Sequence, residues 1–116
     1  MPRGVRKRLQ RAEIVRNWRE WIPGLVEAAR DALGEGVEVY VFGAAAEGRL
    51  TAASDVDVLV VVDDPPQDFF ELERLKEELE RRAGLPRRHP FEIHLVGREE
   101  AEFYLRGLGV TALRVA

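Results

Sequence analysis

The sequence predicts an α/β (α+β) domain, with a mixed sheet of three to four strands flanked by helices. Three observations carry this. Apolar residues recur at three- and four-residue intervals through 9–33 and again through 68–83, the spacing of helices with one buried face. Three short runs of alternating or continuous apolar residues, Val37–Phe42, Asp55–Val62 and Pro90–Val96, are separated by helical or turn-rich segments. The 116 residues suffice for one core and leave no room for a second. The expected organisation is a single domain over 1–116, with an N-terminal helical segment at 1–36 and a core segment at 37–97.

Composition narrows the class. Charged residues make up 34% and hydrophobic ones 46%, the profile of a soluble globular protein. No apolar run approaches the roughly 20 residues that cross a bilayer. The basic N-terminus MPRGVRKRLQ has no apolar segment after it and does not read as a signal peptide, so a cytoplasmic location is expected. Cysteine is absent, which excludes disulfides and thiolate metal sites; any metal must be held by oxygen or by His89 and His94. A net charge of −3 argues against general nucleic-acid binding. The charge is uneven, however. Arg3, Arg6, Lys7, Arg8, Arg11, Arg16 and Arg19 face only Glu13 and Glu20, giving either an arm for phosphates or an acidic partner, or a solvated terminus.

Taken in order, Leu9, Ile14, Val15, Trp18, Ile22, Leu25, Val26, Ala29 and Leu33 form a helical stripe. Pro23 predicts a kink or break near Ile22, because proline suits a helix's first turn and not its middle. Gly34 and Gly36 supply the stop. The two tryptophans read as core or subunit-interface anchors, which suits a homo-oligomer or a hetero-complex. Val37–Phe42 is a strand with Val37, Val39 and Val41 on one face and Glu38, Tyr40 and Phe42 on the other. Gly43 then lets the backbone turn and lets a ligand come close. Ala44–Gly48 suits one or two helical turns, whose first amides would face a phosphate, and Arg49–Ala53 is a connecting loop. Asp55–Val62 is apolar on both faces after Asp57, so it should be the central strand. Asp68 with Glu71 resembles a capping box opening a helix to Ala83, with Phe69, Leu72, Leu75, Leu79 and Ala83 buried. Gly84 and Pro86 end it. Pro90–Val96 is a third strand, with Phe91, Ile93 and Leu95 on one face and Glu92 and His94 on the other. Arg98–Leu105 is a short helix with Ala101, Tyr104 and Leu105 inward, and Gly107–Ala116 adds an edge strand through Val110–Val115.

Asp55 and Asp57 carry the chemistry. Two residues apart on a strand, they point the same way. Two like charges at the edge of a core repel and resist desolvation unless they share a cation, and a divalent metal is the simplest one. If the second and third strands are neighbours, Glu92 joins them. Three carboxylates around one or two Mg²⁺ ions suit in-line transfer at phosphorus. His94 shares the Glu92 face and either reaches this site or serves as a structural histidine. Arg49 and the Arg87-Arg88-His89 cluster either contact phosphates or belong to solvated loops.

Phe42-Gly43-Ala44, ten further residues and then Asp55-Val56-Asp57 resemble the signature of the DNA polymerase beta-like nucleotidyltransferase superfamily. The stretch GAAAEGRLTAASDVDVLVVV is especially similar to the minimal (MNT-type) nucleotidyltransferases, and Glu92 in PFEIHLV fits the family's third acid. The resemblance spans roughly 37–97 and implies a polymerase beta palm-like fold with 37–97 as the catalytic core. It also implies Mg²⁺-dependent transfer of a nucleoside monophosphate, AMP from ATP, to a hydroxyl acceptor. Asp55 and Asp57 would bind two Mg²⁺ ions, and Glu92 would complete the second site and help activate the acceptor. Gly43, Ala44, Ser54 and Arg49 are the candidate nucleotide contacts. Ala44 departs from the family's usual serine, and losing a hydrogen bond to a charged phosphate costs on the order of 1.5–3 kcal/mol. The resemblance further implies a two-component module in which the acceptor is a small helical HEPN-type protein. The alternative is an antitoxin-like subunit that neutralises such a partner by contact, with weak or no catalysis.

Overall fold

In the computed structural model, which describes residues 3–107 and 111–116, the elements alternate much as the patterning predicts. They are α1 (Arg3–Arg16), α2 (Trp18–Leu33), β1 (Glu38–Phe42), α3 (Ala44–Glu47), β2 (Val56–Val61), α4 (Phe69–Arg82), β3 (Phe91–Val96), α5 (Arg98–Glu102) and β4 (Ala112–Arg114). A π-helical turn, Phe103–Gly107, continues α5. The four strands form one mixed sheet in the order β3-β2-β1-β4. β1 runs antiparallel to both β2 and β4, while β2 and β3 are parallel. A parallel pair needs a crossover, and α4 supplies it. Among the described residues no helix is long and apolar enough to cross a membrane.

β2 is central because it is apolar on both faces. Val56, Val58 and Val60 pack with Val39, Val41, Ile93 and Leu95 beneath Trp18, Ile22, Leu25 and Ala29 of α2 and Leu79 of α4. On the opposite face, Leu59 and Val61 pack with Phe42, Val96 and Ala101, and Tyr104 lies against them. The helices thus cover one face broadly. Among the described residues, the second face is covered by the chain after β3, and Asp57 remains partly accessible there.

Three expectations require correction. The first helical segment breaks at Asn17 (φ −107°, ψ 30°), not near Ile22, and Pro23 lies inside α2. Pro23 is exposed, so water can reach the Arg19 carbonyl that its missing N–H leaves unpaired. An interior proline costs about 3 kcal/mol, which burial of Trp18, Ile22, Leu25 and Val26 exceeds at roughly 1.5–3 kcal/mol per side chain. Phe69 is 66% exposed and does not join the buried stripe. The Asp68 carboxylate caps the Phe70 and Glu71 amides, at 2.7 and 3.4 Å, so Phe69 falls in the first turn and packing begins at Leu72. Asp55 precedes β2 and is not part of it. The tail strand covers Ala112–Arg114, and the expectation for Val110 lies outside the described residues.

An ionic clasp joins the strand ends to α5. Arg98 donates to Asp63 (2.5 Å), to Glu38 and to the Gly36 carbonyl (3.3 Å), while the Tyr40 hydroxyl donates to Glu38 (2.8 Å). The Tyr40 hydroxyl, and then Arg98, hold the Glu38 carboxyl below its ordinary value near 4.5. Because the folded value is depressed, the stabilisation is complete above about pH 4.5 and is lost as pH falls through the depressed value. Replacing Glu38→Gln should therefore cost about 1–2 kcal/mol in urea unfolding at pH 7. The difference from wild type should shrink as pH falls through the depressed value, where acid protonates Glu38 itself.

Candidate active site

Gly43 sits where β1 ends, with φ +72° and ψ −144°, a conformation that residues bearing a Cβ rarely adopt. A Cβ built there would lie 2.9 Å from Asp57 Oδ2. Position 43 must therefore lack a side chain for the Asp57 carboxylate to occupy its place. The β1–β2 register sets this up by pairing Phe42 with Asp57. Immediately beyond, Ala44 opens the single turn of α3, which Gly48 closes in the left-handed conformation.

The parallel β2–β3 register then places Glu92 directly opposite Asp57. Alternation along β3 puts His94 on the same face. His94 Nε2 lies 3.3 Å from Asp57 Oδ1 and 4.0 Å from Glu92 Oε1. One ligand atom from each of Asp57, Glu92 and His94 falls within 4.8 Å of the others. The His94 ring is held by Phe42 and Tyr104, with centroids at 5.2 and 5.6 Å. Burial, and then the charges of Glu100, Glu92 and Asp57, push the Tyr104 hydroxyl above its usual value, so it stays neutral beside the acids.

Asp55 is outside this group of three. Its carboxylate accepts from Arg11 of α1 at 2.8 Å, and Arg11 also donates to the Ala52 carbonyl at 3.3 Å. The cation that the paired aspartates appeared to require is thus supplied to Asp55 by the protein itself. Asp55 still borders the same open groove, of about 450 Å³, as Glu92 and His94. Ser54 closes the loop: its hydroxyl accepts from the Thr51 amide at 2.8 Å. Arg49 is paired with Glu47. His89 accepts from the Phe91 amide at 3.0 Å, which gives it a structural role. The structure therefore brings together Gly43, Asp57 and Glu92 of the residues singled out by sequence, and leaves Ser54 and Arg49 in local contacts. Of the two readings open for His94, it places the ring beside Asp57 and Glu92, and it adds Tyr104 and Arg11, which were not assigned to the site.

The donor set suits a divalent cation. Ligands in trans across an ion with bonds near 2.1 Å stand about 4.2 Å apart, and those in cis about 3 Å. The 3.3 and 4.0 Å separations fall in that range.

The Nucleotidyltransferase domain family profile matches residues 22–108. The chain belongs to this family, as a minimal-type member of the DNA polymerase beta-like superfamily. Its activity is nucleotidyl transfer, a chemistry for which the family generally uses a nucleoside triphosphate and a divalent metal. Among solved structures, the chain is similar to a protein from Sulfolobus solfataricus assigned as a nucleotidyltransferase, with 15% identity over 98% of this chain and 86% of that one and a TM-score of 0.57. That likeness speaks to the fold alone. A second structure, also assigned as a nucleotidyltransferase, shares 25% identity over 78% of this chain and 91% of its own, with a TM-score of 0.50. A search of curated proteins finds no match.

The Gly43–Asp57 contact makes a sharp prediction. Gly43→Ala should lose about 1–3 kcal/mol in denaturant unfolding from backbone strain alone, and metal affinity should fall with it as the carboxylate is displaced. A Gly43→Ala protein with unchanged stability and metal affinity would show that the close contact is not required.

Proposed function

We propose that the protein transfers a nucleoside monophosphate, AMP from ATP, to a hydroxyl acceptor, using a divalent metal centred on Asp57 and Glu92. The observation that carries this is the β2–β3 register, which sets these two carboxylates opposite each other beside the bare backbone of Gly43. Asp57 and Glu92 hold the ion, with Mg²⁺ the ion that the family resemblance implies. When bound there, the ion supplies positive charge to the phosphate oxygens and acidifies the acceptor hydroxyl. Gly43 leaves room for the Asp57 carboxylate at the end of β1, where the triphosphate would approach. Glu92, with 57% of its side chain exposed, can reach outward and take the acceptor's proton on a carboxylate oxygen. The acceptor oxygen bonds to the α-phosphorus, and the bond to the pyrophosphate oxygen breaks. A second ion, if bound, would draw on Asp55, whose carboxylate is held by Arg11. The Asp55 end of that pair is 59% exposed, whereas Arg11 is 24% exposed.

The groove beside the site is open and lined largely by charged side chains, which suits a protein acceptor better than an enclosed small molecule. A small helical HEPN-type protein is the acceptor that the resemblance implies. Ala44 favours a second reading, in which the chain neutralises such a partner by contact and transfers slowly or not at all, because no hydroxyl is present to hold the phosphate.

Incubation with α-labelled ATP, a divalent metal and such a partner separates the two. Label should pass to the partner with wild type and fall by at least about a hundredfold with Asp57→Asn, the scale on which a transition-state electrostatic contact acts. Stable complex formation without any label would support the contact reading instead. Label that persists in Asp57→Asn would refute the role given to this carboxylate.

A further inference from the structure

We propose that His94 is the third ligand of the metal held by Asp57 and Glu92, so that the centre takes a divalent transition metal such as Mn²⁺ in preference to Mg²⁺. This deepens the reading of the site given above and rests on it. The first argument is geometric. His94 Nε2 faces both carboxylates, 3.3 Å from Asp57 Oδ1 and 4.0 Å from Glu92 Oε1, within the cis-to-trans range for one ion. The second is preorganisation. Phe42 and Tyr104 fix the ring from its sides, and the side chain is only 23% exposed, so the imidazole is already aimed at the carboxylates. The third is chemical. Carboxylate oxygens alone suit Mg²⁺, which demands hard donors and gives up water reluctantly. An imidazole nitrogen shifts the preference toward first-row transition metals. His89 offers no competing ligand here, because its Nδ1 is engaged by the Phe91 amide and its Nε2 lies 3.3 Å from Glu80.

To ligate, His94 must present the Nε2 lone pair, with the ring proton on Nδ1. The contact with Asp57 then passes from a direct hydrogen bond to coordination of the same ion. A merely structural histidine would keep its nitrogen off the metal, and the two roles differ in a signal independent of turnover.

The test is electron spin-echo modulation of Mn²⁺ bound to the intact protein, together with Mn²⁺ and Mg²⁺ titrations. Wild type should show modulation from a directly coordinated ¹⁴N nucleus, and it should change to the ¹⁵N pattern when the protein is made with ¹⁵N-histidine. That arm needs no mutation and so does not depend on a variant folding. His94→Gln should lose the nitrogen signal and weaken Mn²⁺ binding by at least the roughly tenfold that loss of even an outer partner of a metal ligand costs. Its Mg²⁺ affinity should move much less, and His89→Gln should keep the signal. Mn²⁺ that binds wild type and is lost in Asp57→Asn, yet shows no histidine nitrogen, would overturn this proposal and leave the carboxylate site standing. Failure of wild type to bind Mn²⁺ or Mg²⁺ in an Asp57-dependent way would overturn both readings.

Discussion

The Asp57 carboxylate occupies the space that a side chain at position 43 would fill, and the architecture around the site depends on that substitution of one group for another. A Cβ at 43 would approach Oδ2 to 2.9 Å, and the backbone there already lies at φ +72°. The contact requires β1 and β2 to be antiparallel with Phe42 opposite Asp57. A shift of one residue would send Asp57 to the other face, where α2 and α4 bury the valines. The register is held because Val56, Val58, Leu59, Val60 and Val61 are all nearly or completely buried, so every alternative pairing exposes apolar surface or buries charge. The α4 crossover then makes β3 parallel to β2 and brings Glu92 opposite Asp57.

The two aspartates meet the problem of charge differently. Asp55, outside the strand and 59% exposed, is neutralised by an arginine from α1. Asp57, with 28% of its side chain exposed, has no arginine or lysine within salt-bridge distance among the described residues; its close partner is His94. An arginine fills a site as a fixed cation and must leave before an ion can enter, whereas an imidazole can remain and coordinate. The basic N-terminal segment thereby acquires a specific role through Arg11, which ties α1 to the loop before β2 across 44 positions of sequence.

Much of this was legible from residue pattern. Alternation identified the faces of β1, β2 and β3, and the double-sided apolarity of β2 identified its central place. The convergence of Asp57 with Glu92 required only that β2 and β3 be neighbours. The break at Asn17 was not legible, because Pro23 is a strong local signal that tertiary burial of α2 overrides. Phe69 misled because its spacing matches the stripe while the cap at Asp68 holds it in the first turn. Arg11 carries no local cue that it reaches Asp55. His94 was visible as a neighbour of Glu92, but its nearness to Asp57 comes from the parallel register and the aromatic pair around the ring, neither of which the sequence states.

The most direct measurement is calorimetric titration of ATP into the protein with and without Mg²⁺ or Mn²⁺, on wild type and on Asp57→Asn. The account predicts metal-dependent nucleotide binding by wild type and its loss in the variant, with folding preserved because Asp57 lies at a partly exposed strand end. Nucleotide binding that is indifferent to the metal, or equally strong in Asp57→Asn, would contradict a metal centre built on the carboxylate seated against Gly43.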